Sequence, residues 1–478
     1  MTQGTKLRSL RQPARPLVVC RHLGQIALML AALTAVPMLF AWASGDWPLA
    51  TRLLAGALLP ALALGAGALI PAAARPVQAN EALVIAALAF ILAAGLFTYP
   101  LRVAGLSPVD AWFEAVSGVT TTGLSMLADP KQQSQAFLFT RAWMQWFGGL
   151  GIVVLSLALA AGRPADMRRL SDAVSDEEAL EQGVRLHARR VLLVYAVITL
   201  LGLALVWAAG MPLFQALIHT LAAISTGGFS SFPDSLAQLD RASQAVLGLI
   251  ACLGAAPLLV FHRAYTRGPL HLWRDPELRA LAVAIPVVAL LLWWLGRLTP
   301  ADAAAQAIFA QTTTGFATLE LAQLDPAAKL VLILSMVTGG GVGSTAGGVK
   351  LLRVLILIRV VQLAILRVQV PPHGVVQAKP VGRVLETTQI EHALLLLLLY
   401  PVVLLLSWLP FLAAGHAPLD ALFDICSAVG TVGLSVGVAG PDLAPGLKLL
   451  LSLDMLLGRL EILALLVLVY PGTWFKRS

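Results

Sequence analysis

The chain has 478 residues, 58% of them hydrophobic and 12% charged, with a mean hydropathy of +0.84 and a formal net charge of +8. No soluble domain of ordinary size carries that composition, whereas a polytopic membrane protein does. Cys20, Cys252 and Cys426 share no paired spacing, so neither a disulfide framework nor a metal site is expected.

In chain order, residues 1–24 form a basic cytoplasmic arm with Lys6, Arg8, Arg11, Arg15 and Arg21. It is not read as a cleavable leader, because a full-length apolar run follows. Runs of about 20 apolar residues, enough for a bilayer core of ~30 Å, lie near 25–45, 51–71, 80–100, 138–161, 190–209, 243–262, 279–297, 327–366 (interrupted), 390–414 and 446–470. The expectation is an all-α protein with about ten spans. Most Lys and Arg sit in the arm, in the even-to-odd loops (Arg163, Arg189, Arg263, Arg274, Lys350 and Arg367 among them) and at Lys476 and Arg477. By the positive-inside tendency that face, with both termini, is cytoplasmic. The positive balance then serves topology and contact with membrane lipids, with no nucleic-acid partner.

A pattern of proline, short amphipathic helix and Thr/Ser-rich glycine turn occurs four times, starting at Pro108, Pro212, Pro300 and Pro418. The turns read Val119-Thr-Thr-Thr-Gly123, Ile224-Ser-Thr-Gly-Gly228, Gln311-Thr-Thr-Thr-Gly315 and Val429-Gly-Thr-Val-Gly433. Three copies share Pro-x-Asp-Ala, at Asp110, Asp302 and Asp420. Each helix has room for about 11 residues, ~17 Å at the α-helical rise, so it enters a bilayer without crossing it. The chain thus divides into an extra hairpin (25–75) and four units of span, short helix, loop and span: 76–162, 186–264, 276–366 and 388–478. Four such loops around one axis can replace a cation's hydration oxygens with backbone carbonyls. Glycine supplies the positive φ that this requires. The candidate cation-binding residues are Thr121, Thr122, Gly123; Thr226, Gly227, Gly228; Thr313, Thr314, Gly315; and Thr431, Val432, Gly433. Thr-Val-Gly in the fourth copy also occurs in potassium-channel filters, which favours potassium.

Those loops, together with Gln145-Trp-Phe-Gly-Gly-Leu-Gly-Ile152, the His219–Ser230 segment, the Gly339–Lys350 loop and Gly458-Arg-Leu-Glu461, resemble the Trk/Ktr superfamily of potassium-uptake membrane subunits, in its TrkH-like branch. The resemblance covers nearly the whole chain. It implies a pseudo-fourfold potassium channel in one chain, a homodimer, and a cytosolic TrkA-like nucleotide-binding regulatory ring. The fourth turn departs toward the KtrB-like pattern, which leaves the regulatory partner and the co-ion open.

Residues 338–350 interrupt the third unit with Gly339, Gly340, Gly341, Gly343, Ser344, Thr345, Gly347, Gly348 and Lys350. At about 1 kcal/mol per glycine the helix breaks there. A phosphate loop fails on detail, because Leu351 follows Lys350 and no strand precedes. Tight helix packing through small residues and a flexible intramembrane loop that obstructs the path both remain, and the resemblance implies the second. Arg459 sits inside an apolar run, where a charge faces a cavity or a partner. It either snorkels or pairs with Glu461, or it faces the permeation path and tethers the glycine loop. His219 and His392 read as packing residues. Glu114 and Asp424 either raise cation density or hydrogen-bond loop backbone. The polar stretches 162–189 and 367–389 are candidate docking surfaces. Alternatives to a voltage-driven pathway are the potassium-translocating subunit of an ATP-driven pump and an ion-coupled secondary transporter. The second predicts breaks in two halves, whereas the sequence signals one break. No acid/base, nucleophile or metal-ligand motif suggests an enzyme.

Overall fold

The computed structural model describes residues 13–71, 77–161, 177–369 and 387–475, and every regular element among them is helical. The docking candidates at 162–189 and 367–389 fall largely outside these residues. An N-terminal hairpin, Pro16–Ala43 and Trp47–Gly65, packs against the first unit through Ala79–Leu101. It is pinned by Arg15, whose Nε donates to Glu81 Oε1 at 2.7 Å.

Among the described residues, six helices are long and apolar enough to cross a membrane by themselves: Pro16–Ala43, Trp47–Leu69, Ala79–Ala104, Ala188–Ala208, Pro276–Trp294 and Ile390–Ala413. A seventh arises if Arg241–Ala255 and Leu258–Arg267, bent by 87°, count as one. The run near 243–262 is therefore not a straight span. Pro257 starts the second piece and carries no N–H to continue the first.

The third unit is broken as expected, between Pro326–Thr338 and Leu351–Gln369. The fourth is broken too: Pro445–Arg459 ends and Leu463–Val469 begins after Glu461 and Ile462 adopt φ of +54° and +60°. The expectation of a single break is thus corrected. The second helices of units two, three and four all break, while Gln135–Ala161 of unit one runs through. The breaks fall at corresponding positions of successive units, not in two inverted halves.

The four short helices are each 12 residues: Pro108–Val119, Leu213–Ile224, Pro300–Gln311 and Pro418–Val429. Proline suits their first turns, where its missing N–H is not needed. Ser107 and Thr299 cap the first and third by accepting from Asp110 N and Asp302 N, both at 3.2 Å. Glycine lets the outer helices press on the C-terminal ends of three of them. A Cβ on Gly148, Gly254 or Gly458 would overlap the carbonyl oxygen of Val119, Ile224 or Val429.

Candidate cation pathway

The four glycine turns share one backbone conformation. Thr121, Thr226, Thr313 and Thr431 have φ of +56°, +52°, +55° and +48°; two residues on, Gly123, Gly228, Gly315 and Gly433 have φ of +96°, +75°, +70° and +99°. A β-branched residue at positive φ is an outlier that the surroundings must hold in place. Here the last turn of each short helix does so: Thr121 N donates to Gly118 O and Thr122 N to Ser117 O, and the same offsets recur at 226 and 227, 313 and 314, and 431 and 432.

These turns close a ring. A Cβ on Gly123 would overlap Gly227 O, one on Gly228 Thr314 O, one on Gly315 Val432 O, and one on Gly433 Thr122 O. Each glycine therefore lies against a backbone carbonyl of the next unit, in the order one, two, three, four and back to one. The C-terminal ends of four short helices, which carry partial negative charge, run into that ring.

One brace recurs in four chemistries. Nine residues before each ring glycine stand Glu114, His219, Gln306 and Asp424, all fully buried. Glu114 accepts from Ser125 Oγ at 3.0 Å and Met126 N at 2.9 Å; Asp424 accepts from Ser435 Oγ at 2.6 Å and Val436 N at 2.9 Å. His219 Nε2 meets Ser230 Oγ at 3.1 Å, and Gln306 Nε2 donates to Thr318 Oγ1 at 3.1 Å. Of the two roles open to Glu114 and Asp424, the geometry has both bonding the chain that leaves the ring. Arg141, buried with its guanidinium over the Phe229 ring, pairs with Glu114 at 2.7 Å. Gln145 Nε2 donates to Gly227 O at 2.6 Å and Gln145 Oε1 accepts from Phe229 N at 3.1 Å, fastening the second turn to the first unit.

The sequence pattern had a signal for these braces, since a polar residue at one fixed offset recurs in every copy. It had none for Arg141, which pairs with Glu114 of its own unit and lies over Phe229 of the next, or for Gln145, whose partners lie in the second unit. Similarly, Pro-x-Asp gains its meaning only in three dimensions. Lys448 pairs with Asp110 at 2.5 Å, Arg241 with Asp302 at 2.6 Å and Lys329 with Asp420 at 2.7 Å, each cation coming from the unit before. The second unit has Phe214 at this position, against Phe40 of the N-terminal hairpin at 6.2 Å between ring centres.

Beside the ring lies the glycine-rich segment. Gly347 N donates to Thr313 Oγ1 at 2.7 Å, Gly348 N to Gly430 O at 3.0 Å, and Thr345 Oγ1 to Ile224 O at 3.0 Å and Gly254 O at 2.9 Å. Gly341 N donates to Ala255 O at 2.9 Å and Gly339 O accepts from Gln311 Nε2 at 2.7 Å. Gly340 packs on Ala346, Gly343 O accepts from Leu258 N at 3.1 Å, and Ser344 Oγ donates to Gly341 O at 2.6 Å. Buried Lys350 folds back onto Ala346 O.

Arg459, 2% exposed, donates through Nη1 to Thr345 O at 2.7 Å and through Nη2 to Gly148 O at 3.2 Å. The fourth unit thereby joins the loop to the first. Glu461 pairs instead with Arg353, at 2.5 Å. The loop and Arg459 touch all four units where the short helices end.

A family model described as "TrkH: Cation transport protein" matches residues 55–473. The chain is 31% identical over 387 residues to the Trk system potassium uptake protein TrkH of Salmonella typhimurium, covering 77% of this chain and 80% of that one. It is 29% identical over 489 residues to the protein of the same name in Halomonas elongata, covering 96% and 99%. The crystal structure of the potassium transporter TrkH from Vibrio parahaemolyticus matches the fold with a TM-score of 0.84 at 24% identity, over 96% of this chain and 100% of that one. With a family model spanning most of its length and apolar helices of membrane-crossing size, this chain is a multi-pass membrane protein that belongs to the TrkH family of cation transport proteins.

Proposed function

We propose that the chain carries potassium into the cell through the ring of glycine turns, driven by the membrane potential. The observation that carries this reading is the closed order of contacts, in which each ring glycine lies against a carbonyl of the next unit. Carbonyls held in such a ring replace a cation's water without adding net charge. The buried hydroxyls of Thr121 and Thr431, which have no protein partner among the described residues, add neutral oxygens at its base. A potential is worth about 2.3 kcal/mol per charge per 100 mV, close to fiftyfold accumulation, so no nucleotide site in this chain is required.

In this reading the 338–350 segment is the gate and Arg459 its latch. The guanidinium also places positive charge on the cation's path. A cytosolic TrkA-like nucleotide-binding ring acts from the cytoplasmic side, two copies form a homodimer, and the protein sits in the bacterial cytoplasmic membrane with both termini inside. The test is rubidium uptake into vesicles holding the purified chain, at imposed voltage and without ATP, in excess sodium. Voltage-driven uptake that potassium inhibits and sodium does not is the expected result. Uptake that requires ATP at constant voltage returns the pump-subunit reading, and uptake that requires a proton or sodium gradient at zero voltage returns the secondary-transporter reading.

A further inference from the structure

The helix Pro445–Arg459 buries a carboxyl that the pathway does not use. Asp454 has no exposed surface; its Oδ1 accepts from Ser407 Oγ at 2.6 Å, and its Oδ2 has no partner among the described residues. Tyr400 lies two turns before Ser407 on Thr387–Ala413, hence on the same face, and its buried hydroxyl also has no partner among the described residues.

No cation pairs with Asp454 among the described residues. On its own helix, Lys448 holds Asp110 and Arg459 holds the carbonyls of Thr345 and Gly148. The fourth short helix brings Cys426, while its Asp420 and Asp424 are engaged with Lys329 and with the departing loop. The first short helix brings Asp110 and Glu114, both ion-paired. Thr387–Ala413 brings Tyr400, with Glu391 and His392 two turns earlier, and Leu463–Val469 has no titratable side chain.

The repeat itself does not ask for a carboxyl here. Asp454 stands four residues before Gly458, the glycine against Val429 O. Four residues before the corresponding Gly148 and Gly254 stand Met144 and Ile250, both buried and apolar.

We propose that Asp454, with Ser407 and Tyr400, is a proton-binding site in the wall of the fourth unit that sets the pH dependence of conduction. One carboxyl and two hydroxyls are too few oxygens to replace an alkali cation's hydration shell, whereas a proton needs one acceptor. A proton on the carboxyl removes the charge that apolar surroundings penalise. Its loss leaves a carboxylate that demands a donor at Oδ2. The helix pair must then shift or admit water, and one of those helices carries Arg459 five residues further on. Tyr400 lines a crevice with Gly348, Val349, Arg353, Gly458 and Glu461, next to the gate segment, and this offers the proton an entry. Proton loss therefore loosens the latch, and conduction rises with pH.

The flux arm of the test rests on the proposed potassium pathway. Rubidium uptake into vesicles at fixed voltage, measured across about pH 5 to 9, rises by about threefold or more in the wild type. Asp454→Asn stays at the acid-side value throughout, and Asp454→Glu regains a pH response. Coincident wild-type and Asp454→Asn profiles overturn the proposal. Should the Asn variant fail to fold, Tyr400→Phe moves the midpoint of the profile, and an unmoved midpoint overturns the proposal. Infrared difference spectra of the same protein titrated in vesicles need no flux. A pH-dependent carboxyl band that vanishes in Asp454→Asn supports the site, and a band that persists there sinks it, whatever ion the ring carries.

Discussion

The ring and the layer beside it are built on opposite plans. Around the ring, four units repeat the same φ signs, the same backbone bonds at the end of the short helix and the same brace offset, even though the bracing side chain changes from Glu to His to Gln to Asp. Beside it the symmetry is gone: one unit supplies the 338–350 segment, another supplies Arg459, and the first keeps an unbroken helix. On the proposed reading, ion coordination needs equal oxygens from all sides, which four similar copies would provide. A gate needs one element that moves relative to the rest, and only a departure from the repeat provides that.

The contrast is broken most severely at the ring. Gly315→Ala places a Cβ on Val432 O at a φ of +70°. Strain of about 3 kcal/mol at such a position corresponds to roughly a hundredfold, and rubidium uptake is expected to fall by at least that. Uptake within a fewfold of wild type would mean that the ring is not the ion's path. The matching change at Gly343, where φ is also positive but nothing lies within 4 Å of the added Cβ, is expected to be milder.

Next comes Glu114→Gln. It strips the charge that balances Arg141, which is 2% exposed. Breaking a buried pair by removing one partner costs about 3–5 kcal/mol. Thermal unfolding in detergent is therefore expected to drop clearly, and further than for Asp424→Asn, whose carboxyl has hydrogen bonds but no ion pair among the described residues. Equal losses in the two variants would show that the pair adds nothing beyond the loop bonds.

In the asymmetric layer the sign reverses. Arg459→Ala frees Thr345 O and Gly148 O and removes a positive charge from the proposed path, so uptake at fixed voltage is expected to rise by about tenfold, the equivalent of ~1.4 kcal/mol. Unchanged uptake and unchanged selectivity would remove Arg459 from the gate.

How legible each layer was in the sequence follows from the same contrast. Four copies in one chain make a local pattern self-evident, so the short helices and their glycine turns could be read from spacing alone. Gly339 to Gly348 was legible because glycine density opposes a helix. The bend at Pro257 and the break at Glu461 and Ile462 were not legible as breaks. One hides in an apolar run, and the other uses positive φ at residues that seldom adopt it. Arg459 stood out as a charge at depth, but which carbonyls it holds depends on how units one, three and four face one another. Asp454 is a charge in the same apolar run, but that its Oδ2 lacks a partner among the described residues is a property of the packing around it.

The smallest effect is expected outside the ring, where Lys448 joins the last unit to Asp110 of the first. Partial burial alone would push the Asp110 carboxyl up, but hydrogen bonds from Lys448 and Ser107 outweigh it and hold the group below its ordinary range. A carboxyl lowered on folding stabilises the folded state above its unfolded-state value, and that contribution is lost as pH falls through the folded-state value. The pair is partly solvated, so the contribution is modest. Asp110→Asn is expected to leave neutral-pH uptake close to wild type, lower the unfolding temperature slightly at neutral pH, and shrink that difference under acid conditions. A deficit that widened on acidification would have the wrong sign for this pair. A deficit that ignored pH would show that units four and one are held together by the ring and the apolar packing beneath, with the ion pair a bystander.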